Sequence, residues 1–302
     1  MLNLDFITVK KRLRLSVQIV FAALTNGYLI GYVDGKIYKG NSKIICVPGL
    51  NCYSCPGAIA SCPIGSLQAV LGSKDFKFSF YIIGIFMIMG SFLGRFVCGW
   101  LCPFGLVQDL LHKVPKIKKI RYIPADKHLR YFKYIILAVF VIILPMSISN
   151  YSGYGNPWFC KLICPSGTLL AGIPLVSMNN SLRRIIGLLF MWKVLTLIII
   201  VILSIKIYRP FCKYICPLGA IYGLFNKYSI YKYEVDNIKC VKCNLCQEKC
   251  DMKVAVYKEP NHPECIRCGK CIDVCPKSAI TSTISKYTTK KIPANSRQKE
   301  EP

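Results

Sequence analysis

The chain has 302 residues and a mass of 34.1 kDa, yet 53% of it is hydrophobic and its mean hydropathy is +0.41. That composition excludes a disordered chain and a typical soluble protein, and it points to a lipid bilayer as partner. Lys and Arg total 40 against 14 Asp and Glu, a net charge of +26. In an apolar chain this is first explained by basic loops on the inner face, so no nucleic-acid partner is expected.

Four apolar stretches, 15–32, 78–97, 132–149 and 185–208, each approach the ~20 residues that cross a ~30 Å hydrocarbon core. An α-helical membrane protein of about four transmembrane helices is expected. The first stretch follows Lys10, Lys11, Arg12 and Arg14; its long apolar run with no small-x-small cleavage site reads as an uncleaved anchor. Basic residues are denser before the first stretch, between the second and third, and after the fourth. Both termini are therefore assigned to the cytoplasm, with Arg183 and Arg184 on the opposite face. The expected division is a membrane domain over 1–230, a small Lys- and Cys-rich soluble domain over 231–280, and a disordered tail over 281–302.

Eighteen cysteines punctuate this order. Cys46, Cys52, Cys55 and Cys62 follow the first stretch, Cys98 and Cys102 the second, Cys160 and Cys164 the third, and Cys212 and Cys216 the fourth. Four sites end in Cys-Pro-x-Gly, at Cys62, Cys102, Cys164 and Cys216. Three carry a further Cys four residues earlier, so the chain reads as a tandem repeat of helix and cysteine loop. Spacing of four places both sulfurs on one face of a helical turn, and the Pro turns the chain at the second Cys.

Cys98, Cys102, Cys212 and Cys216 fall at the inner ends of spans two and four, and together offer one four-thiolate [4Fe-4S] site. Arg95 and Arg209 stand three residues before each pair, where they either neutralise a cluster or snorkel to the interface. On the outer side, Cys46, Cys52, Cys55, Cys62, Cys160 and Cys164 are six candidates for another site, of which Cys160, Cys164 and Cys62 carry the repeat, with Cys55 or Cys52 as a fourth. Disulfides are the alternative for outward-facing cysteines. The apolar flanks 58–71 and 168–176 are expected to dip into the bilayer and shelter that site.

The soluble segment carries Cys240-x2-Cys243-x2-Cys246-x3-Cys250 and Cys265-x2-Cys268-x2-Cys271-x3-Cys275-Pro276. Two such runs specify two [4Fe-4S] clusters, the fourth Cys of each ligating the other run's cluster. One set is Cys240, Cys243, Cys246 and Cys275, the other Cys265, Cys268, Cys271 and Cys250. Zinc suits a C-x2-C pair, but two matching four-Cys runs disfavour it. This segment resembles the bacterial two-cluster ferredoxin, an α+β fold, departing at Asp251 where that motif has Pro. The three histidines, His112, His128 and His262, lie outside the spans, against a bis-histidine haem.

With the motifs Cys98-Gly99-Trp100-Leu101-Cys102-Pro103 and Cys212-Lys213-Tyr214-Ile215-Cys216-Pro217, residues 78–280 resemble the membrane-bound polyferredoxin family with C-x3-C-P motifs. That family includes the membrane subunit feeding periplasmic nitrate reductase and the nitrous oxide reductase regulator. The resemblance implies an electron carrier of the cytoplasmic membrane, with redox partner proteins on the cytoplasmic face and on the outer face. The additional outer cysteines depart from the family pattern. A redox sensor or maturation protein would use the same clusters without net turnover. A quinol oxidoreductase lacks a diagnostic polar pocket here, a transporter lacks a paired intramembrane acid, and no Walker, Rossmann or hydrolase motif supports bond-making catalysis. An electron-transfer subunit is expected, not a stand-alone enzyme.

Overall fold

A computed structural model describes residues 2–73, 80–115, 117–120, 123–148 and 155–284, with the backbone alone for 2–11. Most of the expected tail, from 285 on, lies outside the described residues. The molecule is a helical bundle followed by a small domain with one two-stranded antiparallel sheet, in which Tyr233–Val235 pairs with Ile280–Ser282.

Among the described residues, two helical stretches, Asp126–Ser147 and Leu188–Lys206, are long and apolar enough to cross a membrane. They match the third and fourth expected spans. Their outward side chains, including Ile135, Ile143, Met146, Leu195, Ile198 and Ile202, are exposed and apolar, an arrangement that suits lipid contact and not water. The second expected span yields a shorter helix, Phe80–Leu93. It stops because Gly94 turns left-handed at φ 52°, where a Cβ would sit 2.7 Å from Asn226 Oδ1. The first expected span is divided between Leu2–Thr25 and the short helix Ile30–Asp34. The flanks expected to dip inward form the helices Pro63–Leu71 and Pro165–Gly167, the latter continued to Met178.

One apolar core holds Cys62, Cys98, Cys102, Cys164, Cys212 and Cys216 together with Leu50, Ile64, Phe86, Phe104, Phe159, Phe211 and Tyr222. A second core, in the small domain, packs Tyr233, Met252, Val254, Val256, Ile266 and Ile280 around Cys246, Cys265 and Cys271.

Candidate metal centres

All four Cys-Pro-x-Gly sites share one backbone. The Cys is extended, at φ −82°, −80°, −68° and −68° for Cys62, Cys102, Cys164 and Cys216, and the Pro opens a new helix. Pro suits a first helical position, where its missing N–H is not needed, and it keeps the preceding residue out of the helical region. The glycine N–H two residues after each Pro comes within hydrogen-bonding reach of the cysteine sulfur. Each sulfur therefore sits at the N-terminus of the helix that its Pro opens.

Cys98, Cys102, Cys212 and Cys216 are brought together, each within reach of another's charge. The two arginines cross between the halves. Arg95 Nη2 donates to the Cys212 carbonyl at 2.8 Å, and Arg209 Nη1 donates to the Cys98 carbonyl at 2.5 Å. Neither snorkels: both are fully buried. Arg209 makes a bidentate pair with Asp109 at 2.7 and 2.5 Å, and Arg14 joins the same carboxylate at 2.6 Å. Arg95 pairs with Glu264 at 2.5 Å, and the buried Lys133 takes the other Glu264 oxygen. Burial works against the charged carboxylates, but Arg209 and Arg14 hold Asp109 well below the ordinary range, and Arg95 and Lys133 hold Glu264 at about 2. Arg95 Nε is buried with no hydrogen-bond partner, beside the charge of Cys98.

On the other side of the same core, Cys160 lies within reach of the charges of Cys164, Cys62 and Cys52, and Cys164 within reach of Cys52. A Cβ on Gly167 would stand 3.4 Å from Cys52 Sγ, and one on Gly65 3.9 Å from Cys160 Sγ. The Cys55 sulfur meets the Tyr32 hydroxyl at 2.9 Å, in an apolar cluster with Ala58 and Ala171 against which Cys52 also packs. Cys46 Sγ instead donates to the Ser66 hydroxyl at 3.4 Å. All eighteen cysteines are free of disulfides.

Both halves of the small domain repeat one backbone path. Lys242 and Arg267 are left-handed at φ 52° and 53°, Asn244 and Gly269 at 61° and 86°, and Lys253 and Ser278 at 54° and 48°. Each pair occupies the same place in its cysteine run, so the two loops wrap in the same way. Cys240, Cys243, Cys246 and Cys275 line one pocket. Cys271 lies within reach of the charges of Cys265, Cys268 and Cys250. Backbone N–H groups donate to the fourth sulfur of each run, Val254 to Cys250 at 3.5 Å and Ala279 to Cys275 at 3.3 Å. Asp251, the departure from the ferredoxin motif, forms an ion pair with Lys270.

The small domain docks through its second run. A Cβ on Gly99 would meet the Ile266 carbonyl at 2.3 Å, so this position takes only Gly. Trp100 Nε1 donates to the Arg267 carbonyl at 3.1 Å, and the Arg267 guanidinium donates to the Leu93 carbonyl at 2.8 Å and the Asn226 carbonyl at 2.7 Å. Trp100 is thus a docking residue between the helical domain and the ferredoxin domain.

Two glutamines at the cysteine sites are among the residues that the sequence did not single out. Gln108 Nε2 donates to Cys212 Sγ at 3.0 Å, and Gln68 Nε2 to Cys160 Sγ at 3.3 Å. Each glutamine follows the second Cys of its own motif by six residues, so the longer pattern Cys-Pro-x-Gly-x-x-Gln, present at Cys62 and Cys102, was the available signal. Among the described residues no three His, Cys, Asp or Glu side chains converge on a point that would hold a single metal ion. The donors in these groups are cysteine sulfurs, the ligand type of a [4Fe-4S] cluster.

Residues 77–122, 134–177 and 188–232 match the model of a 4Fe-4S binding domain, and residues 260–281 match a second 4Fe-4S binding domain. An uncharacterized protein of Methanocaldococcus jannaschii is 30% identical over 213 residues, covering 68% of this chain and 72% of the relative. The putative electron transport protein YccM of Escherichia coli is 24% identical over 68% of this chain and 56% of its own length. The ferredoxin-type protein NapH of Escherichia coli is 25% identical over 63% of this chain and 62% of its own. No solved structure matches.

Proposed function

Because this chain belongs to the polyferredoxin family of 4Fe-4S binding proteins, we propose that it carries electrons through the membrane along a row of four [4Fe-4S] clusters. The observation that carries the reading is that four cysteine sets form one continuous series. It starts at the exposed Cys243, passes through the docked second ferredoxin run, and enters the core that holds the inner set together with Cys62, Cys160 and Cys164.

The ligands in this reading are Cys240, Cys243, Cys246 and Cys275 for the first cluster and Cys265, Cys268, Cys271 and Cys250 for the second. Cys98, Cys102, Cys212 and Cys216 hold the inner cluster, and Cys52, Cys62, Cys160 and Cys164 the outer one. Cubane clusters supply one-electron centres whose potentials follow charge, burial and hydrogen bonds to sulfur. The chain's own residues do the rest. Gln108 and Gln68 donate to sulfur, Arg95 and Arg209 bring two buried positive charges beside the inner thiolates, and the apolar core excludes water. The acids Asp109 and Glu264 fix the arginines in place.

The topology that accompanies this function has four spans over 1–230, both termini in the cytoplasm and the ferredoxin domain over 231–280 on that face, in the cytoplasmic membrane. The short helix Phe80–Leu93 serves as a span because the cysteine loops on either side of it enter the bilayer with protein around them. Redox proteins on the two faces are the partners, as the electron transport and ferredoxin-type names of the relatives suggest.

Iron and acid-labile sulfide per chain test the reading on anaerobically purified protein. About sixteen iron atoms are expected, falling to about twelve in Cys160→Ala/Cys164→Ala and in Cys52→Ala but not in Cys55→Ala. About twelve in wild type and in the double variant alike would remove the outer cluster and the transmembrane route with it.

A further inference from the structure

An open cleft lies between the ferredoxin domain and the adjoining ends of the two long apolar helical stretches. One wall comes from the start of Asp126–Ser147, through Lys127 and Tyr131, and from Ile207, just past the end of Leu188–Lys206. The segment Lys119–Ile120 is laced to that end: the Ile120 N–H donates to the Lys206 carbonyl and Lys119 Nζ to the Ile205 carbonyl, both at 2.9 Å. The facing wall, from the ferredoxin domain, carries Lys249, Lys253 and Lys258. Arg130 links the two walls, its Nη2 donating to the Met252 carbonyl at 3.0 Å.

The charges along this cleft do not cancel. Asp126 is held by Arg130 at 2.5 Å and by Lys213 at 2.6 Å, Glu264 by Arg95 and Lys133, and Asp251 by Lys270. Lys127, Lys249, Lys253 and Lys258 are exposed and form no ion pair among the described residues. The remaining acids of the lining are Glu248 and Glu259, the latter 3.8 Å from His262. Unpaired ammonium groups therefore outnumber unpaired carboxylates, and the cleft favours an anion.

The same cleft is apolar at its helical wall. Tyr131 is 66% exposed and Ile120 44%, and past Tyr131 the helix presents Phe132 and Ile135, 49% and 56% exposed. An anion seated among the lysines borders directly on the apolar side of a helix long enough to span a membrane. A phospholipid has a use for both surfaces, its phosphate at the lysines and its acyl chains along the helix. Basic pockets at helix ends on the bilayer surface hold anionic headgroups in this way.

We infer that this cleft binds the headgroup of one anionic phospholipid, held by Lys127 of the helical domain and by Lys249, Lys253 and Lys258 of the ferredoxin domain. The inference rests on the membrane topology of the proposed function and is independent of the clusters. A headgroup phosphate accepts from lysines on both walls, so the bound lipid adds to the link that Arg130 makes and seats the ferredoxin domain on the bilayer.

Native mass spectrometry of the full chain in detergent tests this, with titrations of dioleoylphosphatidylglycerol, dioleoylphosphatidylcholine and inorganic phosphate. Wild type is expected to retain one phosphatidylglycerol in preference to phosphatidylcholine, and phosphate is expected not to displace it. Lys249→Gln/Lys253→Gln/Lys258→Gln is expected to bind that lipid about a hundredfold more weakly. Lys239→Gln/Lys242→Gln/Lys277→Gln removes the same formal charge from the same domain outside the cleft, and it is expected to bind as wild type does. Equal weakening in the two variants would show a diffuse attraction to a basic domain and overturn the site. Equal retention of the two lipids, or displacement of the lipid by phosphate, would overturn it as well. A full chain that stays in solution without detergent would instead overturn the membrane topology itself.

Discussion

Arg95 and Arg209 trade carbonyls across the inner cysteine set, Arg95 binding the Cys212 carbonyl at 2.8 Å and Arg209 the Cys98 carbonyl at 2.5 Å. Each also lies against the glycine of the opposite Cys-Pro-x-Gly motif, 3.1 Å from a Cβ on Gly219 for Arg95 and 3.3 Å from one on Gly105 for Arg209. The two repeats thus lock each other by a reciprocal pair of buried guanidiniums. Each arginine requires an acid to be charged there, and the acids differ: Asp109 belongs to the helical domain, Glu264 to the ferredoxin domain.

Removing either arginine leaves a buried carboxylate short of a partner and a carbonyl unbound. Arg95→Gln and Arg209→Gln are each expected to lower stability by about 3 kcal/mol, the scale of a broken buried pair. Thermal unfolding in detergent measures this. Arg209→Lys should recover only part of the loss, because an ammonium cannot reproduce the bidentate fork on Asp109 and reach the Cys98 carbonyl as well. Full recovery by lysine would show that charge alone matters there.

Gln108 and Gln68 give a separable pair. Loss of a hydrogen bond worth about 1.5 kcal/mol to a charged sulfur corresponds to roughly 60 mV for a one-electron couple. Gln108→Leu is expected to lower the potential of the inner cluster by about that amount and leave the outer one in place, and Gln68→Leu to do the reverse. Redox titration followed by electron paramagnetic resonance reads both. Equal shifts at both clusters in either variant would contradict the assignment of each glutamine to one site.

Asp109 sets a pH dependence. Its carboxyl is held below the ordinary value, so its contribution to stability is complete above the unfolded value near 4 and lost only as pH falls through the lower folded value. The stability difference between wild type and Asp109→Asn is therefore expected to stay flat from about pH 8 to about pH 5, well above that window. A difference that shrinks steadily over this range would mean that the carboxyl titrates near neutrality and is not held by Arg209 and Arg14.

Gly99 tests the docking. The Ile266 carbonyl lies 2.3 Å from where its Cβ would stand, a backbone contact that cannot move aside. Gly99→Val is expected to leave iron content unchanged while slowing electron transfer from the ferredoxin domain to the inner cluster, and to expose Trp100 to fluorescence quenchers. Unchanged transfer would mean that the backbone contact is not the coupling point.

Much of this was legible in the chain, because cysteine spacing encodes chemistry directly. The two ferredoxin runs, the four Cys-Pro-x-Gly sites and the paired arginines could all be read by eye, and the proline's effect on the second Cys follows from sterics. What the arginines do was not legible: three residues before a cysteine at a helix end looks the same for snorkelling as for burial. The contact between the Cys55 sulfur and the Tyr32 hydroxyl was equally closed, since it depends on how the chain folds between them. Helix limits moved where a single backbone event intervened, as at Gly94. The buried Lys133 was hidden at the edge of an apolar run because its partner, Glu264, is 131 residues away.

Electron flow from the ferredoxin face to the opposite face is measured most directly as flux in sealed proteoliposomes. Dithionite outside and oxidised cytochrome c inside would be used with wild type and with Cys160→Ala/Cys164→Ala. Steady reduction of the trapped acceptor is expected with wild type and its loss in the double variant, with the ferredoxin clusters still reducible. Equal flux in both, or none in wild type with all four clusters present, would contradict it.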